Sequence, residues 1–158
     1  MNEQGIVYKL SKPFKIARYG FKETITEIDL NENNLSVSEV MKAEAEFTIL
    51  EKRLSEDLGG REGDFTYPPM AKRTSAAMTL AIIKTVLEKK HPRITITYKD
   101  IKENLSGSDF MKIIMLRECQ YFVKLNELQE MLMEQGMDLI EKFTLNKEEE
   151  QHAHVETD

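Results

Sequence analysis

Tryptophan is absent from this 158-residue chain, aromatic residues make up only 8% of it, and cysteine occurs once. A core built without tryptophan must rely on aliphatic side chains and methionine. The single cysteine, Cys119, excludes an intramolecular disulfide and suits a reducing cytosol. Its apolar neighbours suggest a small buried hydrophobe rather than a reactive thiol. Histidine is scarce too, with only His91, His152 and His154. No apolar run approaches the roughly 20 residues that a membrane span needs. The longest, Ala76 to Ile83, is short and interrupted by Thr79. The N-terminus has no apolar signal region, so a cytoplasmic location is expected.

What is present is charge, in alternating blocks. Charged residues are 32% of the chain and apolar residues 41%, a balance typical of one globular domain. Residues 1–22 carry a net +4, residues 23–64 a net −8, residues 65–126 a net +6 and residues 127–158 a net −8, which sum to the overall −6. Blocks of opposite sign can pair within a fold or between molecules, and such surfaces steer protein partners.

Pattern along the chain gives the elements. Residues 5–10 and 14–19 are rich in β-branched and aromatic side chains, with Pro13 between them, and residues 24–30 alternate with a period of two. Two or three antiparallel strands over residues 1–30 follow, with Arg18 to Lys22 as a turn around Gly20. Ser36 and Glu39 have capping-box spacing, and apolar residues from Val37 to Leu58 recur at steps of three or four, which predicts a helix over 36–58. Residues 59–69 read as a loop. A second helix is expected over 70–91, ended by Lys89, Lys90, His91 and Pro92. Residues 93–97 read as a short strand or an extended linker. Further helix is expected over 98–135, with Thr97 and Asp100 capping a short first piece and Ser108 capping a longer second one. Gly136 is expected to interrupt it, and residues 146–158 read as a disordered acidic tail. The fold class is therefore α+β, a small N-terminal antiparallel hairpin packed on a mainly helical bundle, as a single domain over 1–145.

Catalytic chemistry finds no foothold in these residues. Three glycines in residues 59–63 would suit a phosphate loop, but no Lys-Ser or Lys-Thr follows at the required spacing. His152 and His154 sit on an acidic tail, a poor setting for a metal site. No nucleophile has a base beside it. The protein is expected to be no enzyme, with no cofactor and no metal. Residues 98–120 have the outline of a helix-turn-helix, but the second helix offers a groove only Lys112 and Arg117. No nucleic acid and no membrane are therefore expected as partners.

The order of elements resembles the phage tail assembly chaperone family. The hairpin opens on Leu10-Ser-Lys-Pro-Phe14 and closes on Glu27-Ile-Asp-Leu30, and a helix with Val37-Ser-Glu-Val-Met-Lys-Ala-Glu44 follows. Ile82-Ile-Lys-Thr-Val-Leu87 and the junction Leu105-Ser-Gly-Ser-Asp-Phe110 complete the resemblance, which covers residues 5 to about 125. Residues 51–73 exceed the usual connector, and residues 126–158 extend past the family's end. The resemblance implies a non-catalytic protein of virion assembly in the bacterial cytoplasm. Such a protein coats the tape measure protein and presents it to the major tail tube protein. A structural tail component retained in the particle is the alternative, and a helix-turn-helix regulator the third reading.

A chaperone for an extended client needs adaptable apolar surface, and methionine side chains repack easily. Five of the nine methionines fall between Met111 and Met137. Met111, Met115, Met131 and Met133 are the expected partner-binding residues, for a client or for self-association.

Overall fold

Alternating β-branched and aromatic residues draw the N-terminal segment into two strands, β1 (Val7–Arg18) and β2 (Phe21–Asp29), paired antiparallel. The computed structural model describes residues 6–57, 72 and 75–155. Tyr19 and Gly20 form the turn, with φ of 50° and 82°. Positive φ at both central residues matches the type I′ turn, whose twist suits a two-residue hairpin. Glycine accepts that conformation freely, whereas tyrosine is strained in it.

Pro13 does not divide the first strand in two. β1 runs through it, and the disruption becomes a bulge. Lys9 faces Glu27 and Phe14 faces Ile25, so Leu10 to Pro13 have only Thr26 opposite them. Proline has no amide for the ladder, and a bulge is where a strand tolerates it. Leu10, Phe14, Ile16, Ile25 and Ile28 are buried on the inner face of the hairpin, while Lys15, Lys22, Thr24 and Thr26 are exposed.

The capping box at Ser36 forms as the spacing requires. The Ser36 amide donates to Glu39 Oε2 at 2.7 Å, and the Glu39 amide donates to Ser36 Oγ at 3.2 Å. It starts α1 (Val37–Asp57), whose Ala43, Phe47 and Leu50 enter the core. Residues 58–71, with the expected loop over 59–69, lie outside the described residues. Ser75 caps α2 (Ala76–Lys90), and its hydroxyl accepts from the Met78 amide. This is the central helix. It packs on α1 and β2 and buries Met78, Ala81, Ile82, Ile83, Val86 and Leu87. Thr79 and Thr85 are buried as well, and each hydroxyl donates to the carbonyl four residues back, at 2.9 and 2.8 Å. Between α1 and α2, Lys84 bridges Glu46 at 3.1 Å and Glu88 at 2.9 Å.

His91 ends α2 as expected, its amide bonded to the Leu87 carbonyl and its Nδ1 3.2 Å from Glu23 Oε2. Residues 93–97 are an extended linker rather than a strand, with Ile94 and Ile96 buried. Thr97 and Asp100 form a full capping box for α3 (Tyr98–Asn104). Asp100 also takes the Arg18 guanidinium, at 2.7 and 2.8 Å, which ties α3 to β1.

The last helix, α4 (Gly107–Val155), departs from expectation at both ends. Its cap is Ser106, whose hydroxyl accepts from the Asp109 amide at 3.1 Å, and Ser108 lies within the first turn. Gly136 does not interrupt it, and the helix replaces most of the expected disordered tail, running to Val155. One interior glycine costs about 1 kcal/mol against alanine, and the strong helix formers around it outweigh that. The backbone divides into two compact units, Met1–Glu118 and Cys119–Asp158. The first unit is an α+β domain with the small N-terminal sheet on a helical layer.

Candidate functional site

The start of α4 is held by two buried polar side chains eight residues apart, Asp109 and Arg117, with Ile113 buried between them. On a helix this spacing places all three on one face. Asp109 reaches the β1 bulge. It accepts from the Tyr8 hydroxyl at 2.8 Å, from the Ser11 hydroxyl at 2.9 Å, and from the Ser11 amide at 3.1 and 3.2 Å. The bulge at Pro13 makes that amide available by freeing it from the ladder with β2. Burial pushes the Asp109 carboxyl up, but the hydrogen bonds from Tyr8 and Ser11 outweigh it and hold its pKa at about 2. The same contact, with burial first, raises the Tyr8 hydroxyl.

Arg117 extends the anchor. Its Nε and Nη2 lie 2.9 and 2.7 Å from Glu32 Oε1, and its Nη1 donates to Thr79 Oγ1 at 2.8 Å. One guanidinium thus ties α4 to the 3-10 turn at Glu32–Asn34 and to α2. The sequence pattern alone offers Arg117 to a nucleic-acid groove and assigns Asp109 no role at a site. A carboxylate and a guanidinium in step with the apolar Ile113 are the signal that marks them as inward. Of the two basic residues available to a groove-entering helix, Arg117 is committed inside the domain and Lys112 alone is exposed.

The opposite flank of this stretch carries Met111 and Met115, one turn apart and 56% and 60% exposed. In the first unit these two expected partner-binding residues form a single patch. In the second unit, Met131 and Met133 are both exposed, but two residues apart they project to different sides of the helix. Phe122, Val123, Leu128, Leu132 and Met137 are exposed there too, large apolar side chains that the methionine count overlooked. Cys119 is exposed and not buried as its apolar neighbours suggested, and Met115, Phe122 and Val123 around it are exposed as well.

A groove of about 330 Å3 lies between the open end of the hairpin and α2, floored by Val7, Leu35 and Val86. Its charged rim is already paired, with Lys90 on Glu27 at 2.8 Å and Lys89 on Glu39 at 3.0 Å. The Lys90 hydrogen bond holds the Glu27 carboxyl below its usual range. Among the described residues there is no group of three or more metal-ligating side chains, and no helix is long and apolar enough to cross a membrane. No family model, no curated protein and no solved structure matches this chain.

Proposed function

We propose that the protein is a non-catalytic tail assembly chaperone of a phage or prophage, acting in the cytoplasm of its bacterial host. Its clients are the tape measure protein and the major tail tube protein. The observation that carries this reading is the exposed Met111 and Met115 pair, displayed on a helix whose opposite face is anchored by Asp109 and Arg117. A firm frame with a soft, polarizable surface suits a client that is long, helical and variable along its length. The sequence order of hairpin, capped helix and Leu-Ser-x-x-Asp-Phe junction supports the same reading.

Co-expression with the tape measure protein encoded nearby, followed by pull-down and sizing, tests it. The expected result is a soluble complex, with the client insoluble alone. Met111→Glu combined with Met115→Glu is expected to abolish the complex while leaving stability within about 1 kcal/mol, because both sites are exposed. A client equally insoluble with or without this protein would reject the chaperone. Finding the protein in purified particles would then favour a structural tail component.

A further inference from the structure

Among the described residues of the second unit, Leu128 and Leu132 form an exposed apolar strip, with Tyr121 and Leu125 half-buried in the turns before it. Tyr121, Leu125, Leu128 and Leu132 recur at steps of four, three and four; the next seam position is the polar Gln135, and Leu139 follows it in the sequence. Alternating steps of four and three are the 3.5-residue repeat of a coiled coil. Leu128 and Leu132 are 46% and 56% exposed, although a side chain at a seam position is normally inside. The acidic residues avoid this seam. With Leu125 and Leu132 as first positions of successive heptads, Glu127 and Glu134 fall at third positions and Glu130 at a sixth, all on the outer side. A partner helix can therefore approach the seam without meeting those carboxylates, despite the net −8 of residues 127–158.

The flanking charges point to a second copy of this chain, and to its direction. Antiparallel pairing that sets Leu128 against the second copy's Leu132 also sets Leu132 against its Leu128. The same register brings Lys124 beside the second copy's Asp138, once on each side of the two-fold axis, and puts Met131 next to its own equivalent on the axis. In a parallel pair Lys124 and Asp138 would stand 14 residues apart along the helix, about 21 Å, and would not meet. The antiparallel arrangement also opposes the two helix dipoles favourably. We propose that the protein forms an isologous antiparallel dimer through α4 over residues 121–138, with the leucine seam inside and two Lys124–Asp138 pairs flanking it. The proposal requires no client and stands whether or not the chaperone reading holds.

Sedimentation velocity on the full chain, from low micromolar to above a hundred micromolar, tests it. The expected result is a concentration-dependent dimer. Leu128→Glu with Leu132→Glu is expected to leave only monomer, with the unfolding of the first unit unchanged. Asp138→Lys replaces two attractive pairs by two repulsive ones and should weaken the dimer by about tenfold. Adding Lys124→Glu to that variant should restore affinity to within about threefold, since a charge swap rescues only residues that face each other. These two are surface substitutions, so loss of fold cannot imitate the rescue. A wild-type monomer at the highest concentration, or a dimer indifferent to the leucine pair, would overturn the proposal. A dimer in which Lys124→Glu fails to rescue Asp138→Lys would overturn the antiparallel register.

Discussion

Asp109→Asn is the sharpest test of how α4 is held. The carboxylate is fully buried and its described partners are neutral donors, the Tyr8 hydroxyl and the Ser11 hydroxyl and amide. A carboxyl whose pKa falls from 3.8 to about 2 on folding stabilises the fold by about 2 kcal/mol at neutral pH. Because the folded-state value is depressed, that stabilisation is present in full above the unfolded-state pKa of 3.8 and is lost as pH falls through about 2. Asparagine keeps the shape but removes the charge that strengthens each of these hydrogen bonds. Urea unfolding followed by far-ultraviolet circular dichroism at a series of pH values measures the difference directly. Wild type should exceed Asp109→Asn by about 2 kcal/mol at pH 7, and the gap should close between about pH 5 and about pH 2. A gap that is constant across pH would show that charge is not what Asp109 supplies. A gap below about 0.5 kcal/mol at pH 7 would show that the carboxylate does not anchor the helix.

Three further outcomes follow from the same physics. Arg117→Ala removes a buried guanidinium from Glu32 and Thr79 and should cost about 2 kcal/mol in urea unfolding, less than a fully buried pair because Glu32 is 31% exposed and can take water. Tyr19→Asn should raise stability by about 0.5 kcal/mol, since asparagine tolerates the positive φ of 50° that strains tyrosine and Asn-Gly is the preferred type I′ pair. An unchanged or lower melting temperature would count against that turn. Gly136→Ala should stabilise α4 by about 0.5–1 kcal/mol, read as added helical signal on mild heating, because an alanine Cβ there meets nothing within 4 Å beyond the helix's own backbone.

Local chemistry was legible in the sequence wherever donor, acceptor and spacing sit within one turn. The capping boxes at Ser36 with Glu39 and at Thr97 with Asp100 form as read, and α2 ends at His91 before Pro92. Where two such signals compete, the reading failed. Ser106 and Ser108 are both plausible caps, and the one that starts α4 is the one whose turn directs Asp109 toward the β1 bulge. Pro13 and Gly136 were each read as breaks. One is absorbed by a bulge and the other by a long run of helix formers, both tolerances that depend on the surrounding element.

The sequence by itself determined the element types, most of their ends and the α+β class, because periodicity and capping are local properties of the chain. It also marked Met111, Met115, Met131 and Met133 by residue type, without showing which of them share a face. Only the tertiary structure decided that Asp109 and Arg117 point inward, that Cys119 points outward, and that Met111 and Met115 stand together on the open side of α4. The reason is the distance in sequence. The partners that settle those orientations, Tyr8, Ser11, Glu32 and Thr79, lie 38 to 101 residues away, and no local pattern brings them to mind until the chain has folded around α2.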